Sequence, residues 1–232
     1  MFNQKYLKEI FDTFRPLRRL DFAAMRKTIR KDDRVLEYGC GRMPYKDLVL
    51  DLGATYRSAD ISVSTDTDYV ISEHGELEGC DEFFDVVIIM DVLQHITDPR
   101  KSLLELTRYL SNDARVIITT PFIFVECDYR DYHRWSHSGI NALLTSTGYS
   151  VIMNRNRGGT FFAFVYMLVG TLSNLIIGRR SDWHLNLSPL RRIALVLCET
   201  ILIPILWFAL LLDYLIPING GYLGTITVAK KA

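Results

Sequence analysis

The sequence predicts an α/β fold with a doubly wound, mostly parallel seven-stranded sheet and an apolar helical insert before the last strand. Three observations carry this. Apolar runs such as "FDVVIIMDVL" and "ARVIITTPF" have the composition of strands buried on both faces. Capped helical patterns alternate with the strands, as in parallel sheets. A glycine turn, "VLEYGCGRMPY", closes the first strand, which makes the arrangement Rossmann-like.

Taken in order, residues 4–30 read as two helices with a break near Arg15-Pro16, because Tyr6, Ile10, Phe14 and Leu17 recur at roughly helical spacing. "RVLEYG" is the first strand. Pro44 suits the first turn of a helix, which would run to about Leu52 and stop at Gly53. "TYRSADIS" is a strand ending near Asp60, "DYVIS" a short third and "FDVVIIMDVL" the fourth. "DPRKSLLELTRYL" is an amphipathic helix capped by Asp98, with Pro99 at its first position. After the turn "SND" comes the strand "ARVIITTPF". "SHSGINALLTSTG" is a helix with a serine cap, "YSVIMNRN" a strand, and "GYLGTITVAKK" the alternating last strand. The domain reading is N-terminal helices at 1–32, a ligand-binding domain at 33–158 plus 220–232, and an apolar hairpin at 159–219.

Composition narrows the partners. The 232 residues carry 27 basic and 27 acidic side chains, so a net charge of zero argues against nucleic acid. Cys40, Cys80, Cys127 and Cys198 form no C-x-x-C pair, which fits neither a disulfide framework nor a zinc ribbon and suits a reducing compartment. The N-terminal stretch lacks the apolar core of a signal peptide.

Ligands of open parallel sheets bind at the carboxyl ends of the strands. Gly39 and Gly41 let the backbone approach a ligand there, and Asp60 ends the neighbouring strand, where an acid can accept both hydroxyls of a ribose. Pro44 stands where a dinucleotide loop needs glycine. Glu37 in the turn is a poor neighbour for pyrophosphate and a good one for a cation. Adenosine linked to a sulfonium and an ammonium, S-adenosylmethionine (SAM), satisfies both conditions.

"VLEYGCGRMPY", "AD" at Asp60, "EFFDVVIIMDVLQHITDPRKSLLELTRYL" and "RVIITTPF" together resemble the class I SAM-dependent methyltransferases, in particular the type 11-like, glycan- and lipid-associated group. The resemblance covers about residues 33–158 plus the last strand. It rests on Phe84-Asp85, Val92-Leu93-Gln94-His95, Asp98-Pro99 and Glu105-Leu106-Thr107-Arg108 beside the glycine loop. It implies that Glu37, Gly39, Cys40 and Gly41 surround the methionine part of SAM and that Asp60 binds the ribose. Glu73 or Glu76 would lie near the adenine, and Met90 and Asp91 would end the fourth strand beside the cofactor. Met43 departs from the family's third small residue. Similar proteins also carry R-W-[ST], matched by Arg134-Trp135-Ser136, in "TPFIFVECDYRDYHRWSHSG". Acceptor chemistry is expected there, with His133 as first candidate base, then Asp131 and His95, and with Asp128 and His137 nearby. His133 and His137 stand at i, i+4, but no HExxH surrounds them and no metal is expected.

Residues 161–177 carry no charge and 193–217 carry only Glu199 and Asp213. A spanning helix needs about 20 apolar residues. Two crossings would place Arg179, Arg180, Arg191 and Arg192 outside, against the positive-inside rule. Glu199 in mid-span costs roughly 2.5–3.5 kcal/mol, by analogy with Asp. The expectation is therefore a hairpin lying on or dipping into the cytoplasmic face of a membrane, with the arginines and Trp183 among headgroups. A buried cap or homodimer surface on a cytoplasmic protein is the alternative. The functional expectation is SAM-dependent O-methylation of a glycan, glycolipid or lipid-linked small molecule. An NAD(P) oxidoreductase, disfavoured by Pro44 and Glu37, and a non-catalytic SAM-binding membrane scaffold, supported by Met43, are the alternatives.

Overall fold

The computed structural model describes residues 15–61, 67–73, 75–126, 130–177, 189–218 and 220–232. The first expected helix, Cys127, Asp128, Arg179, Arg180 and Trp183 lie outside these residues.

The strands are β1 (Arg34–Tyr38), β2 (Thr55–Asp60), β3 (Tyr69–Ile71), β4 (Leu77–Glu78), β5 (Phe84–Met90), β6 (Leu110–Pro121), β7 (Tyr149–Arg157) and β8 (Gly224–Lys231). The helices are α1 (Arg15–Thr28), α2 (Lys46–Asp51), α3 (Pro99–Leu106), α4 (His137–Thr145), α5 (Thr160–Ile177) and α6 (Pro189–Leu215). The sheet has eight strands in the order β4-β3-β2-β1-β5-β6-β8-β7, where seven were expected. The extra strand is β4, two residues paired antiparallel to β3, too short to show a hydrophobic period. The pairs β3–β2, β2–β1, β1–β5 and β5–β6 are parallel.

Alternation of side chains sorts the central strands between two cores. Leu36, Val87, Ile89, Val116 and Ile118 pack on one face with Leu103 and Leu106 of α3 and Ile140 and Leu144 of α4. Val35, Val86, Ile88 and Ile117 pack on the other with Met25 and Ile29 and with Leu48 and Val49 of α2. Helices therefore cover both faces, and the winding reverses at β1, between β2 and β5. That reversal puts a crevice at the carboxyl ends of β1 and β5.

The caps at Asp98 and Ser136 form as read from the sequence. Asp98 accepts from the Lys101 N–H at 3.0 Å with Pro99 opening the helix. Ser136 accepts from the Gly139 N–H at 3.2 Å. Pro44 does not open a helix. α2 begins at Lys46 after Tyr45, so Pro44 stands in the preceding turn.

The chain forms two compact units. The sheet unit comprises Asp21–Pro121, Tyr132–Arg155 and Thr225–Ala232. The hairpin unit takes Phe122–Asp131, Asn156–Gly224 and the residues up to Leu20. Its own core joins Phe162, Tyr166 and Val169 of α5 to Leu202, Leu206 and Ala209 of α6. Phe124 lies against Tyr166 with ring centroids 5.0 Å apart. Asp213 ties the two helices together: its carboxylate accepts from the N–H groups of Gly159 (3.1 Å), Phe161 (2.8 Å) and Phe162 (3.0 Å). An acid meets the N-terminal dipole of α5 and satisfies amides that the helix cannot satisfy itself. Among the described residues, no helix is long and apolar enough to cross a membrane.

Replacing Asp213 by Ala orphans these three amides and is expected to cost about 1–3 kcal/mol. Hydrogen exchange would read it locally: the Phe161 and Phe162 amides lose protection while those of β5 keep theirs.

Candidate functional site

The loop after β1 is fastened to β2. The N–H groups of Gly39 and Cys40 both donate to the Ala59 carbonyl, at 2.8 and 3.0 Å. The Gly41 N–H donates to Asp60 Oδ2 at 2.8 Å. This folding back needs left-handed backbone at Gly39 (φ 76°), Gly41 (φ 50°) and Met43 (φ 53°). The two glycines differ in surroundings. A Cβ on Gly39 would lie 2.4 Å from Val92 Cγ2, whereas one on Gly41 would meet no protein atom within 4 Å. Met43 bears the left-handed strain that a small residue would avoid, about 1–2 kcal/mol, and packs its side chain against the core of Met25, Tyr45 and Leu48. The departure from the small-residue pattern is thus absorbed by packing.

Glu37 is 3% exposed. Burial is the largest influence on its carboxyl and pushes the pKa up to about 7, with Asp60 adding to the rise; the Tyr56 hydroxyl and the Tyr45 backbone oppose it. Tyr56 donates its hydroxyl to Glu37 Oε2 at 2.5 Å. Burial likewise pushes the Cys40 thiol up to about 11, so it stays neutral between the glycines. Ser58, facing Glu37 in register, donates both its N–H and its hydroxyl to Asp68 Oδ2, at 2.8 and 2.7 Å.

Met90 and Asp91 end β5, half-buried. Asp91 takes left-handed backbone (φ 54°), and its N–H is shared between the Thr119 carbonyl (3.2 Å) and hydroxyl (2.9 Å). Glu73 follows β3 in an exposed turn at the same end of the sheet. Glu76, its rival for the adenine side, stands 4.0 Å from Arg108.

The turn Leu93–His95 is bonded to the segment that bears His133. The Tyr132 N–H donates to the Gln94 carbonyl at 2.8 Å, and the Trp135 N–H donates to the Pro121 carbonyl at 3.3 Å. His133 Nε2 lies 3.3 Å from the Thr97 carbonyl, and its ring stands 5.2 Å from that of Trp135. A carbonyl only accepts, so Nε2 carries the proton and Nδ1 holds the basic lone pair. His137 is occupied structurally: its Nδ1 meets Asn154 Oδ1 at 2.6 Å, and the Asn154 amide reaches back to the His137 carbonyl and Asn141. Asp131, half-buried, belongs to the hairpin unit. Among the described residues no cluster of metal-ligating side chains forms.

Sequence reasoning missed Tyr56, Asp68, Thr119 and the Gln94 amide. Tyr56 was within reach: Glu37 pairs with Ser58, so Tyr56, two residues earlier, shares Glu37's face. Nothing in the sequence announced the others.

Residues 6–162 match the model of a family described as "Methyltransferase domain". The chain belongs to the methyltransferase-domain family. No curated protein matches it. Among solved structures, 1,6-didemethyltoxoflavin-N1-methyltransferase from Burkholderia thailandensis, with S-adenosylhomocysteine bound, is 13% identical with a TM-score of 0.57, covering 95% of this chain and 79% of its own. Phosphoethanolamine N-methyltransferase 2 of Haemonchus contortus, in complex with SAM, is 17% identical with a TM-score of 0.56, covering 92% of this chain and 52% of its own. The [4+2]-cyclase SpnF is 17% identical with a TM-score of 0.59, covering 93% and 80%. At such identity these likenesses show the class I methyltransferase fold. With family membership they make the protein a SAM-dependent methyltransferase and set aside the oxidoreductase alternative.

If Glu37 meets the cofactor's positive charges, as the resemblance implies, its raised pKa makes cofactor binding pH-dependent. A cationic ligand draws Glu37 to its ionised form, so SAM affinity is expected to fall as pH drops below about 7, and Glu37→Gln to lose that dependence. Without ligand the sign reverses for folding. The folded pKa stands above the unfolded 4.5, so this contribution to stability is complete below pH 4.5 and lost as pH rises through about 7. The loss is about 3 kcal/mol. Titration calorimetry and urea unfolding across that window check the two halves. Gly39→Ala should destabilise the fold through Val92, whereas Gly41→Ala should cost about 1 kcal/mol of strain and weaken S-adenosylhomocysteine binding.

Proposed function

We propose that the enzyme transfers the methyl group of SAM to an oxygen of a glycan, glycolipid or other lipid-linked acceptor at a membrane surface. In this reading Glu37 faces the cofactor's positive charges and the backbone of Gly39, Cys40 and Gly41 lies along its methionine part. Asp60 takes the ribose hydroxyls, Glu73 stands on the adenine side, and Met90 and Asp91 flank the bound cofactor. SAM supplies the methyl group and departs as the neutral thioether. His133 Nδ1, left basic by the bond to Thr97, takes the proton of the acceptor hydroxyl as the new C–O bond forms.

The observation that carries the choice of acceptor is the outer face of the hairpin. The inner stripe of α6, Leu202, Leu206 and Ala209, is buried, and an equally apolar stripe, Leu197, Ile201, Ile205, Phe208, Leu211 and Leu215, is exposed. On α5, Phe164 (73% exposed) and Leu168 stand outward in the same way. A surface helix ordinarily turns charge to water on that side. Exposed apolar surface on this scale marks a docking face. Apolar helices of this kind, none of them long and apolar enough among the described residues to cross a membrane, suit the interface of a bilayer. Asp213 is spent on the α5 amides, and the sequence supplies Arg179 and Arg180 after α5 and Arg191 and Arg192 at the start of α6 for anionic headgroups.

The test uses methyl-labelled SAM, the full chain and a lysate from cells lacking the protein. Label is expected in the organic phase, and the protein should float with anionic vesicles. Label confined to the aqueous phase, with the protein left behind as a dimer, would overturn the lipid-linked acceptor and make the outer face a contact between copies. His133→Gln should lower kcat by about 10²–10⁴ without changing S-adenosylhomocysteine affinity.

A further inference from the structure

We infer that Gln94 is a positioning residue that fixes the ring of His95 as a hydrogen-bond donor through Nδ1, leaving His133 as the base; this rests on the methyl-transfer reading above. Gln94 is 5% exposed, in the turn between β5 and α3. One of its side-chain amide atoms lies 2.7 Å from the Asp91 carbonyl. A carbonyl cannot donate, so that atom is the nitrogen, and the amide orientation is set by chemistry. The same nitrogen stands 3.2 Å from His95 Nε2. Its hydrogens supply both contacts, so His95 Nε2 is the acceptor and Nδ1 carries the proton.

The opposite amide atom shows what this arrangement costs. Gln94 Oε1 is buried with no hydrogen-bond partner among the described residues. An orphaned acceptor costs about 1–3 kcal/mol. Turning the amide would set Oε1 against the Asp91 carbonyl, and an apolar side chain of similar size would remove the orphaned oxygen only by giving up the bonds to the Asp91 carbonyl and His95 Nε2. A buried glutamine kept under that penalty points to work at the neighbouring imidazole. The main chain of Gln94 also anchors Tyr132, so one residue serves the end of β5 and the segment that bears His133. His95 and His133 therefore hold opposite tautomers. His133 is proton-bearing at Nε2 and basic at Nδ1; His95 is the reverse. His95, a candidate base on sequence grounds, is cast as a donor.

Two-bond ¹⁵N–¹H correlation of the imidazoles in the S-adenosylhomocysteine-loaded enzyme tests this without any acceptor. Its outcome therefore stands apart from that of the methyl-transfer reading. The proton of neutral His95 is expected on Nδ1, and Gln94→Met should release it to Nε2. A proton on His95 Nε2 in the unaltered enzyme overturns the inference. Label transfer from methyl-labelled SAM into the lysate acceptor pool then gives a double-mutant cycle. Gln94→Met is expected to lower kcat at least tenfold with KM for SAM unchanged, and to add nothing in a His95→Ala background. A loss of equal size in that background would mean a merely structural glutamine.

Discussion

The site depends on one constraint: the chain leaving β1 must double back on β2 before it can enter α2. Two amides, of Gly39 and Cys40, converge on the Ala59 carbonyl, and a third, of Gly41, takes the Asp60 carboxylate. Such a turn exists only with left-handed backbone, which glycine adopts without a side-chain penalty. Everything around it follows. Gly39 must lack a side chain because Val92, from the turn after β5, fills that space. Gly41 has open space beside it, so its left-handed backbone, and not a neighbouring protein atom, is what favours glycine there. Asp60 is oriented by the same bond that sets the loop, so the cofactor's expected ribose partner is in place beforehand.

Just before that loop, in β1, Glu37 is a charge held in reserve. Burial raises its pKa to about 7, and the Tyr56 hydroxyl offsets the rise only in part. A carboxylate so poised costs the empty protein stability near neutral pH, and a cationic ligand recovers that cost. In the proposed reading, part of the selectivity for a sulfonium over a phosphate comes from the desolvation of this one side chain. Cys40 completes the point, since a thiol pushed up to about 11 adds no second negative charge.

Much of this was legible in the sequence because it is local or periodic. β5 and β6 alternate between two cores, and their apolar runs announced burial on both faces. The caps at Asp98 and Ser136 depend on residues three positions apart. β4 escaped because two residues have no period, and Pro44 misled because φ near −65° suits a turn as well as a helix start. Asp213 and Gln94 escaped for another reason. The partners of Asp213 lie at Gly159, Phe161 and Phe162, and the meaning of Gln94 lies in which atom of its amide meets a carbonyl. Pairing across such distance, and hydrogen direction, leave no mark on sequence spacing.

The hairpin shows how burial changes the meaning of a composition. From sequence, an uncharged segment is ambiguous among a membrane span, a buried cap and an interfacial helix. The described residues give the hairpin one buried face and one exposed face. Phe162, Tyr166 and Val169 of α5 meet Leu202, Leu206 and Ala209 of α6, which a buried cap also requires. A cap, however, would turn polar residues outward, whereas Phe164, Leu168, Ile201, Ile205 and Phe208 stand in solvent. Full burial of such a side chain is worth about 1.5–3 kcal/mol, and these residues, 42–73% exposed, forgo a substantial part of it. The acid in the second half of α6 meanwhile turns inward onto α5 amides. An exposed apolar face of this kind supports the proposed docking at a second apolar phase. In the proposed reading the interface of a bilayer meets that requirement, with the backbone hydrogen bonds satisfied inside each helix and no helix among the described residues long and apolar enough to cross.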